Sequence, residues 1–101
     1  MNFPIKIGSE TRITLTGKLD FARAPELMDA LVTLKGEDIS TIIFECKELS
    51  YISSSGIRVI IFAKQKIAPH MKIIMENVCD DILEILDICG ISDFLEFETS
   101  K

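Results

Sequence analysis

Segments of β-strand character alternate with segments of helical character along most of this chain. Residues 12–16 alternate polar and apolar side chains, as a strand with one buried face does, and Ile5 and Ile7 predict a partner strand before it. Residues 41–44, 72–75 and 94–98 predict three further strands. Because parallel strands need crossover connections, the order β-β-α-β-α-β-α-β predicts an α/β fold with helices on a mixed, mostly parallel β-sheet. At this length, residues 1–101 are expected to form a single domain.

Three stretches place apolar residues three and four positions apart, which predicts three amphipathic helices. The first follows Asp20, a candidate cap, and has Pro25 in its first turn; its apolar positions are Ala24, Leu27, Met28, Leu31 and Leu34. The second is predicted over residues 57–68, after a loop that follows the strand at 41–44. The third ends at Gly90, a candidate left-handed cap; its apolar positions are Ile82, Ile85, Leu86 and Cys89. Gly17 is predicted to end the second strand.

The charge balance argues against several classes of partner. The chain has 16 acidic and 11 basic residues, a net charge of -5, and no run of Lys or Arg. Nucleic acids and anionic membrane surfaces are recognised by clusters of basic residues, so neither is an expected partner. The longest uninterrupted apolar run, Val59–Ala63, is far shorter than the roughly 20 residues that a membrane span needs. No signal peptide is recognisable, and a cytoplasmic protein without membrane insertion is expected.

Metal, cofactor and enzyme sites have little support in the sequence. The three cysteines are odd in number and contain no C-x-x-C pair, so they are interpreted as small buried hydrophobic residues and not as a disulfide or zinc site. The single histidine, His70, follows Pro69 in a predicted loop. The G-x-S-x-G, Walker A and G-x-G-x-x-G motifs are absent. The sequence predicts a protein with no catalytic residues, no metal and no cofactor.

The most distinctive segment is residues 49–57, Leu-Ser-Tyr-Ile-Ser-Ser-Ser-Gly-Ile, before the second predicted helix. One serine is explained as a helix N-cap, whose hydroxyl accepts hydrogen bonds from the free N–H groups of the first turn. Three serines and a glycine are more than one cap requires, and a helix N-terminus also suits an anion such as phosphate. Local chemistry leaves the structural and the functional interpretation open.

Three motifs, in order and at matching spacing, resemble the STAS family and above all its bacterial anti-sigma factor antagonists. They are Gly17-Lys18-Leu19-Asp20, similar to G-x-L-D; the segment 49–57, similar to L-S-x-[IM]-D-S-[SAT]-G-[LI]; and the helix-ending segment 86–91. The resemblance covers roughly residues 5–97. It implies a STAS-type fold and a role in transcription regulation by partner switching. By this resemblance, the unphosphorylated protein is expected to bind an anti-sigma factor, which is also its serine kinase, and thereby to free a sigma factor; a phosphatase would restore this form.

The resemblance implies that Ser54, two positions before the glycine, is the phosphorylated residue. Ser53 stands where the family often has aspartate, so Ser53 and Ser55 become alternative acceptors. The surface implied for partner binding comprises Asp20, Ser53, Ser55, Gly56 and Arg58. For Asp20 the alternative role is a helix cap, and for Arg58 it is a solvated helix residue one turn beyond Ser54.

Two further expectations depend on the resemblance. Family members often have one more C-terminal helix than this sequence provides, and an uncovered face in its place would favour a homodimer. STAS domains also serve as accessory subunits of membrane transporters, including lipid-transport complexes, where they contact an ATPase subunit. In that alternative the serine cluster would be structural only.

Overall fold

The computed structural model describes residues 5–6, 10–34, 39–67 and 72–99. Its strands are β1 (Ile5–Lys6), β2 (Glu10–Leu19), β3 (Thr41–Ile52), β4 (Lys72–Glu76) and β5 (Glu96–Glu98), and its helices are α1 (Ala24–Val32), α2 (Ser54–Phe62) and α3 (Asp80–Ile88). The five strands form one sheet in chain order. β1 is antiparallel to β2, and the neighbours β2, β3, β4 and β5 are parallel. This confirms the predicted mixed, mostly parallel α/β fold.

The main core lies between one face of the sheet and the three helices. Ile13, Phe44 and Met75 occupy neighbouring positions on β2, β3 and β4 and are fully buried. The inward residues of the helices pack into the same cluster; they are Leu27 and Leu31, Ile57 and Ile60, and Ile82 and Leu86. Because strand side chains alternate between faces, the residues directly before and after Ile13, Phe44 and Met75 along their strands lie on the opposite face of the sheet. The six inward helix residues all belong to the predicted apolar stripes, so the stripes contribute the helical side of the core.

Two strands are longer than predicted. β2 continues through Gly17 to Leu19, although Gly17 was predicted to end it, and β3 continues to Ile52 through the predicted loop. The two extensions pair with each other, Gly17 opposite Leu49 and Leu19 opposite Ile52, across two register shifts. Gly17 has φ +64, which interrupts the alternation of side chains between the two faces of the sheet but does not end the hydrogen bonding between β2 and β3. Irregular pairing of this kind depends on the neighbouring strand, so the periodicity of a single segment does not predict it.

The helix ends also differ from the predictions. α2 begins at Ser54 and not at Ile57, and a π-helical turn, Ala63–Ile67, continues it. Gly90 is left-handed, φ +77, as predicted for the end of α3. The last strand is shorter than expected, because residues 92–94 form a 3₁₀ turn before β5. The turn removes Phe94 from the alternation that predicted the strand.

The interpretation of all three cysteines as buried is wrong. Cys46 is buried in β3, and burial is the main cause that raises the pKa of its thiol to about 12. Cys79 and Cys89 are exposed. They flank α3 at its two ends. Cys89 was predicted on the buried face of this helix, but the helix ends at Ile88, so the helical periodicity does not apply to Cys89. His70 lies outside the described residues, and no helix within them is long and apolar enough to cross a membrane.

An ionic network joins three parallel strands on the face of the sheet opposite the main core. Arg12 of β2 donates two hydrogen bonds to Glu76 of β4, at 2.6 and 3.3 Å, and one to Glu45 of β3 at 3.3 Å. Asn77, which has φ +58, donates from Nδ2 to Glu45 at 3.0 Å. The Glu76 carboxylate is buried, and the hydrogen bond from Arg12 is the main cause that holds the pKa of Glu76 below its usual value. Such charge-assisted bonds fix the strands relative to one another.

We expect the substitution Glu76→Gln to lower the free energy of unfolding by about 1–2 kcal/mol at pH 7, because Arg12 loses its two-point partner. A carboxylate with a depressed folded-state pKa stabilises the fold above its unfolded pKa, near 4.3, and loses that contribution as the pH falls through the folded value. The difference between wild type and variant should therefore shrink on acidification. Urea unfolding of both proteins at pH 7 and pH 3 measures this difference in the free energy of unfolding.

The matched control is Glu96→Gln, which removes an exposed carboxylate 4.0 Å from Lys72. Pairs of this kind contribute little, so we expect a change below about 0.5 kcal/mol at either pH. A stability difference for Glu76→Gln that is the same at both pH values would contradict the role assigned to its charge.

Candidate functional site

The serine cluster lies at the edge of the sheet where β2 and β3 end. Leu19 and Ile52 are register partners at these ends, and the N–H of Ser53 donates to the carbonyl of Leu19 at 2.9 Å. Asp20 follows Leu19 directly, so the tertiary structure places it beside the cluster. Carboxyl ends of parallel strands are the usual location of ligand sites in α/β sheets. The structure thus brings together two of the three sequence motifs.

The three serines have different environments at the start of α2. Ser53 is the N-cap: its backbone is extended, and its hydroxyl accepts a hydrogen bond from the N–H of Gly56 at 3.3 Å. Ser54, the first helical residue, is exposed, and Ser55 is half-buried. Ser53 therefore provides the cap that an aspartate would provide at this position. Ser54 is therefore the exposed residue of the three serines.

Gly56 allows the closest contact in the site. A Cβ atom placed there would lie 2.7 Å from the carbonyl oxygen of Leu19 and 2.9 Å from Cγ1 of Ile52. Both distances are shorter than van der Waals contact, and the first is to backbone. Only glycine lets the first turn of α2 pack this closely against the ends of β2 and β3. Gly56 thus sets the position of Ser54 relative to Asp20, although it is itself buried.

Asp20 organises the turn between β2 and α1. Its Oδ1 accepts hydrogen bonds from the N–H groups of Ala22 and Arg23, at 3.1 and 3.2 Å. The N-cap of α1 is Arg23 and not Asp20, so Asp20 stabilises the turn before the helix. The Arg23 guanidinium donates to the carbonyls of Thr16 and Lys18. These contacts hold the end of β2, and with it Leu19, against the cluster.

Three residues near this edge had no role predicted from the sequence but shape the site or add to its surface. Ser50 donates from its hydroxyl to the carbonyl of Gly17 at 3.0 Å and so helps to hold the irregular end of β2. Phe21 follows Asp20 and is 78% exposed, and Tyr51, two residues before Ser53, is 47% exposed. Exposed aromatic residues are common anchors in protein interfaces. Only the tertiary structure reveals that Phe21 and Tyr51 face solvent at this edge.

The chemistry of this arrangement suits an anion or a protein partner. The N–H groups of Ser54 and Ser55 open α2 and have no acceptor within the helix. Together with the helix dipole they favour negative charge at Ser54. Arg58 is exposed one turn further along α2. Within the described residues, no group of three or more His, Cys, Asp or Glu side chains is placed to hold a metal ion.

Comparison with protein families gives a match to the STAS domain model over residues 5–101. No curated protein matches the chain. Among solved structures, the fold is similar to an anti-sigma factor antagonist from Mycobacterium paratuberculosis, with a TM-score of 0.84 and 10% identity over 96% of this chain and 84% of the other. It is also similar to the Bacillus cell fate determinant SpoIIAA in its phosphorylated form, with a TM-score of 0.76 and 18% identity over 98% and 91% of the two chains.

A third similar structure comes from a transporter family. A sulfate transporter family protein from Wolinella succinogenes has a TM-score of 0.74 and 14% identity, over 92% of this chain and 80% of that chain. At identities this low, each likeness establishes a shared fold.

Proposed function

Because the chain belongs to the STAS domain family, we propose that it is an anti-sigma factor antagonist whose partner binding is controlled by phosphorylation of Ser54. The observation that carries the proposal is the position of Ser54: it is exposed and is the first residue of α2, whose N-terminus is hydrogen-bonded through Ser53 to Leu19, the residue before Asp20. Ser53 is engaged as the cap and Ser55 is half-buried, so each is a poorer acceptor for a kinase. Similarity to SpoIIAA, which has been solved in a phosphorylated form, supports the same role.

The proposed partner surface surrounds this helix end. Asp20, Ser53, Ser55 and Arg58 form its centre, and the exposed aromatic residues Phe21 and Tyr51 extend it. Gly56, which the resemblance also assigns to this surface, is buried and acts by positioning the start of α2. The unphosphorylated protein binds an anti-sigma factor that is also its serine kinase, and a sigma factor is released. A bacterial, cytoplasmic setting and a phosphatase that resets the switch belong to the same proposal. The protein itself contributes a binding surface and no catalytic residue.

Phosphorylation would act on the interface and leave the fold intact. A phosphate at Ser54 adds about 1.5–2 negative charges at neutral pH. At a helix N-terminus this charge is favourable by roughly 0.3–1 kcal/mol. In the complex the same group would be removed from water, which costs several kcal/mol unless the partner supplies counter-charges. The complex is therefore weakened while the domain remains folded.

The direct test is the mass of the intact protein purified from its native cells, before and after phosphatase treatment, with fragment mapping of residues 53–55. We expect a phosphatase-sensitive gain of one phosphate on Ser54. Phosphate on Ser53 or Ser55 would support control by phosphorylation, with that serine as the acceptor in place of Ser54. Repeated absence of phosphate across growth and stress conditions would contradict the proposal.

A second candidate function is an accessory subunit of a membrane transporter, including a lipid-transport ATPase complex. The similarity to the sulfate transporter family protein is the observation that favours it. In this role the serine cluster would act only as a helix cap. Co-purification from native membranes with a transporter ATPase subunit, unchanged in a Ser54→Ala strain, would favour this second function over the first.

A further inference from the structure

The turn between β2 and α1 presents a large apolar side chain to solvent. Phe21 is 78% exposed, the highest value among the large apolar side chains of the residues that the structure describes. Single apolar residues are common on protein surfaces, so exposure alone assigns no role to Phe21. Two further features of this residue, the rigidity of its turn and its position beside the serine cluster, do so.

Hydrogen bonds to Asp20 hold the turn around Phe21 in one conformation. The main-chain carbonyl of Asp20 accepts from the N–H groups of Arg23 and Ala24, at 3.1 and 2.8 Å. Its Oδ1 accepts from the N–H groups of Ala22 and Arg23, at 3.1 and 3.2 Å. Because the backbone on both sides of Phe21 is already ordered, a partner that binds its ring loses little conformational entropy in the turn. Preorganisation of this kind favours affinity.

Phe21 and Ser54 are close enough to contact one partner. The carbonyl of Leu19 accepts from the N–H of Ser53 at 2.9 Å. Phe21 is two residues after Leu19, a chain length of at most about 7 Å, so its Cα lies within about 15 Å of the Cα of Ser53. An interface of standard size covers about 800 Å² of each protein, which is roughly 30 Å across. A protein that covers Ser54 can therefore cover Phe21 as well.

The surroundings of Phe21 favour a protein pocket over a lipid surface. Tyr51, at the end of β3, adds a second exposed aromatic ring to this edge of the sheet. Asp20 is the neighbour of Phe21 in the chain, and the net charge is -5. Acidic character disfavours the anionic surface of a membrane, whereas an apolar pocket on a protein can accept the ring beside a carboxylate.

We infer that Phe21 is the main affinity anchor of the partner surface and inserts into an apolar pocket of the anti-sigma factor, an inference that rests on the proposed function. Aromatic side chains that fill a pocket of the partner commonly dominate the binding energy of an interface. The roles of the two residues are then separate: Phe21 supplies affinity, and the phosphorylation state of Ser54 controls whether the complex forms. Unphosphorylated protein without the Phe21 ring should bind weakly although Ser54 is intact.

The experiment measures the equilibrium and kinetics of binding of the unphosphorylated full chain to the candidate anti-sigma factors encoded in the same genome. We expect Phe21→Ser to weaken binding at least 30-fold and Phe21→Leu, which keeps an apolar side chain, less than about tenfold. The loss should appear mainly as faster dissociation, because the substitution changes no charge that steers the encounter. Circular dichroism and urea unfolding verify that each variant is folded.

The matched control is Phe94→Ser, which removes the same side chain elsewhere on the surface. Phe94 is 62% exposed and lines an apolar groove between α2 and the end of α3. It precedes β5, which is parallel to its neighbour, so it lies at the edge of the sheet opposite to the end of β2. We expect Phe94→Ser to change the affinity for the anti-sigma factor by less than about threefold.

The outcomes separate this inference from the proposed function. Binding that phosphoserine at position 54 abolishes, but that Phe21→Ser changes by less than about threefold, would overturn the inference and leave the proposed function intact. Equal losses from Phe21→Ser and Phe94→Ser would overturn it as well, because the effect would not depend on the site. Absence of binding by the wild-type protein to every candidate anti-sigma factor would refute the proposed function and the inference with it.

Discussion

Replacing Gly56 by alanine is expected to lower the free energy of unfolding by about 2 kcal/mol, which corresponds to roughly 10 °C in the melting temperature of a domain of this size. The added methyl group would lie 2.7 Å from the carbonyl oxygen of Leu19 and 2.9 Å from Cγ1 of Ile52. Relief requires α2 to move away from β2 and β3, which weakens the Ser53 N–H bond to Leu19. Thermal and urea unfolding measure the change.

The matched control is Ser55→Ala, one position earlier in the same helical turn. Its side chain is half-buried, and replacing it with alanine adds no atom to the first turn of α2, so we expect a change within about 0.5 kcal/mol. Helix propensity alone favours alanine over glycine by about 1 kcal/mol. A Gly56→Ala protein more stable than wild type would show that propensity outweighs the contact, and the tight packing at this site would be refuted.

If the proposed function holds, phosphoserine incorporated at position 54 is expected to weaken binding to the proposed anti-sigma factor partner by at least 100-fold, or about 2.7 kcal/mol. The free energy of unfolding should change by less than about 1 kcal/mol. The two effects differ because the charge is solvated in the free protein and beside the N-terminus of α2, whereas the complex buries it. Calorimetry with the anti-sigma factor from the same genome, alongside urea unfolding, measures both. True phosphoserine is preferable to Ser54→Asp, since aspartate has less charge and fewer acceptor oxygens.

Phosphoserine at position 40 controls for the added charge. Ser40 is exposed and immediately precedes β3, so it lies at the opposite edge of the sheet from Ser54. The same charge there should leave the affinity within about threefold, since the distance across the sheet exceeds the screening length. Equal losses at the two positions would mean that net charge, and not the site, controls binding. Loss of the folded state on modification at Ser54 would contradict an effect confined to the interface.

The order of elements was predictable because each strand and helix has its own periodicity. The stripe that includes Leu27 and Leu31 identified α1, and the short apolar run at residues 41–44 identified a strand covered by its neighbours. Burial of apolar side chains depends mainly on these local patterns, so they predict which segments form the core. The three motifs likewise identified the STAS family from the sequence.

The element ends were less predictable, because contacts between distant segments decide them. β2 passes through Gly17 because its far end pairs with β3, and α2 begins at Ser54 because Ser53 caps it. Cys89 is exposed because α3 ends one residue before it. At β2, pairing with a distant strand outweighed the local pattern. At α2 and α3, the hydrogen bonds at the ends of the helices set the boundaries.

For the candidate site, the sequence by itself determined which residues belong together: the serines, Gly56 and the segment ending in Asp20. Only the tertiary structure decided their roles, because accessibility depends on how the strands align. The pairing of Leu19 with Ile52 brings the segment ending in Asp20 to the serines, and in this arrangement Ser54 is exposed while Ser53 is engaged as the cap. The exposure of Phe21 and Tyr51 and the groove between α2 and α3 arise in the same way. Chain segments far apart in sequence create these surfaces, and no local pattern encodes them.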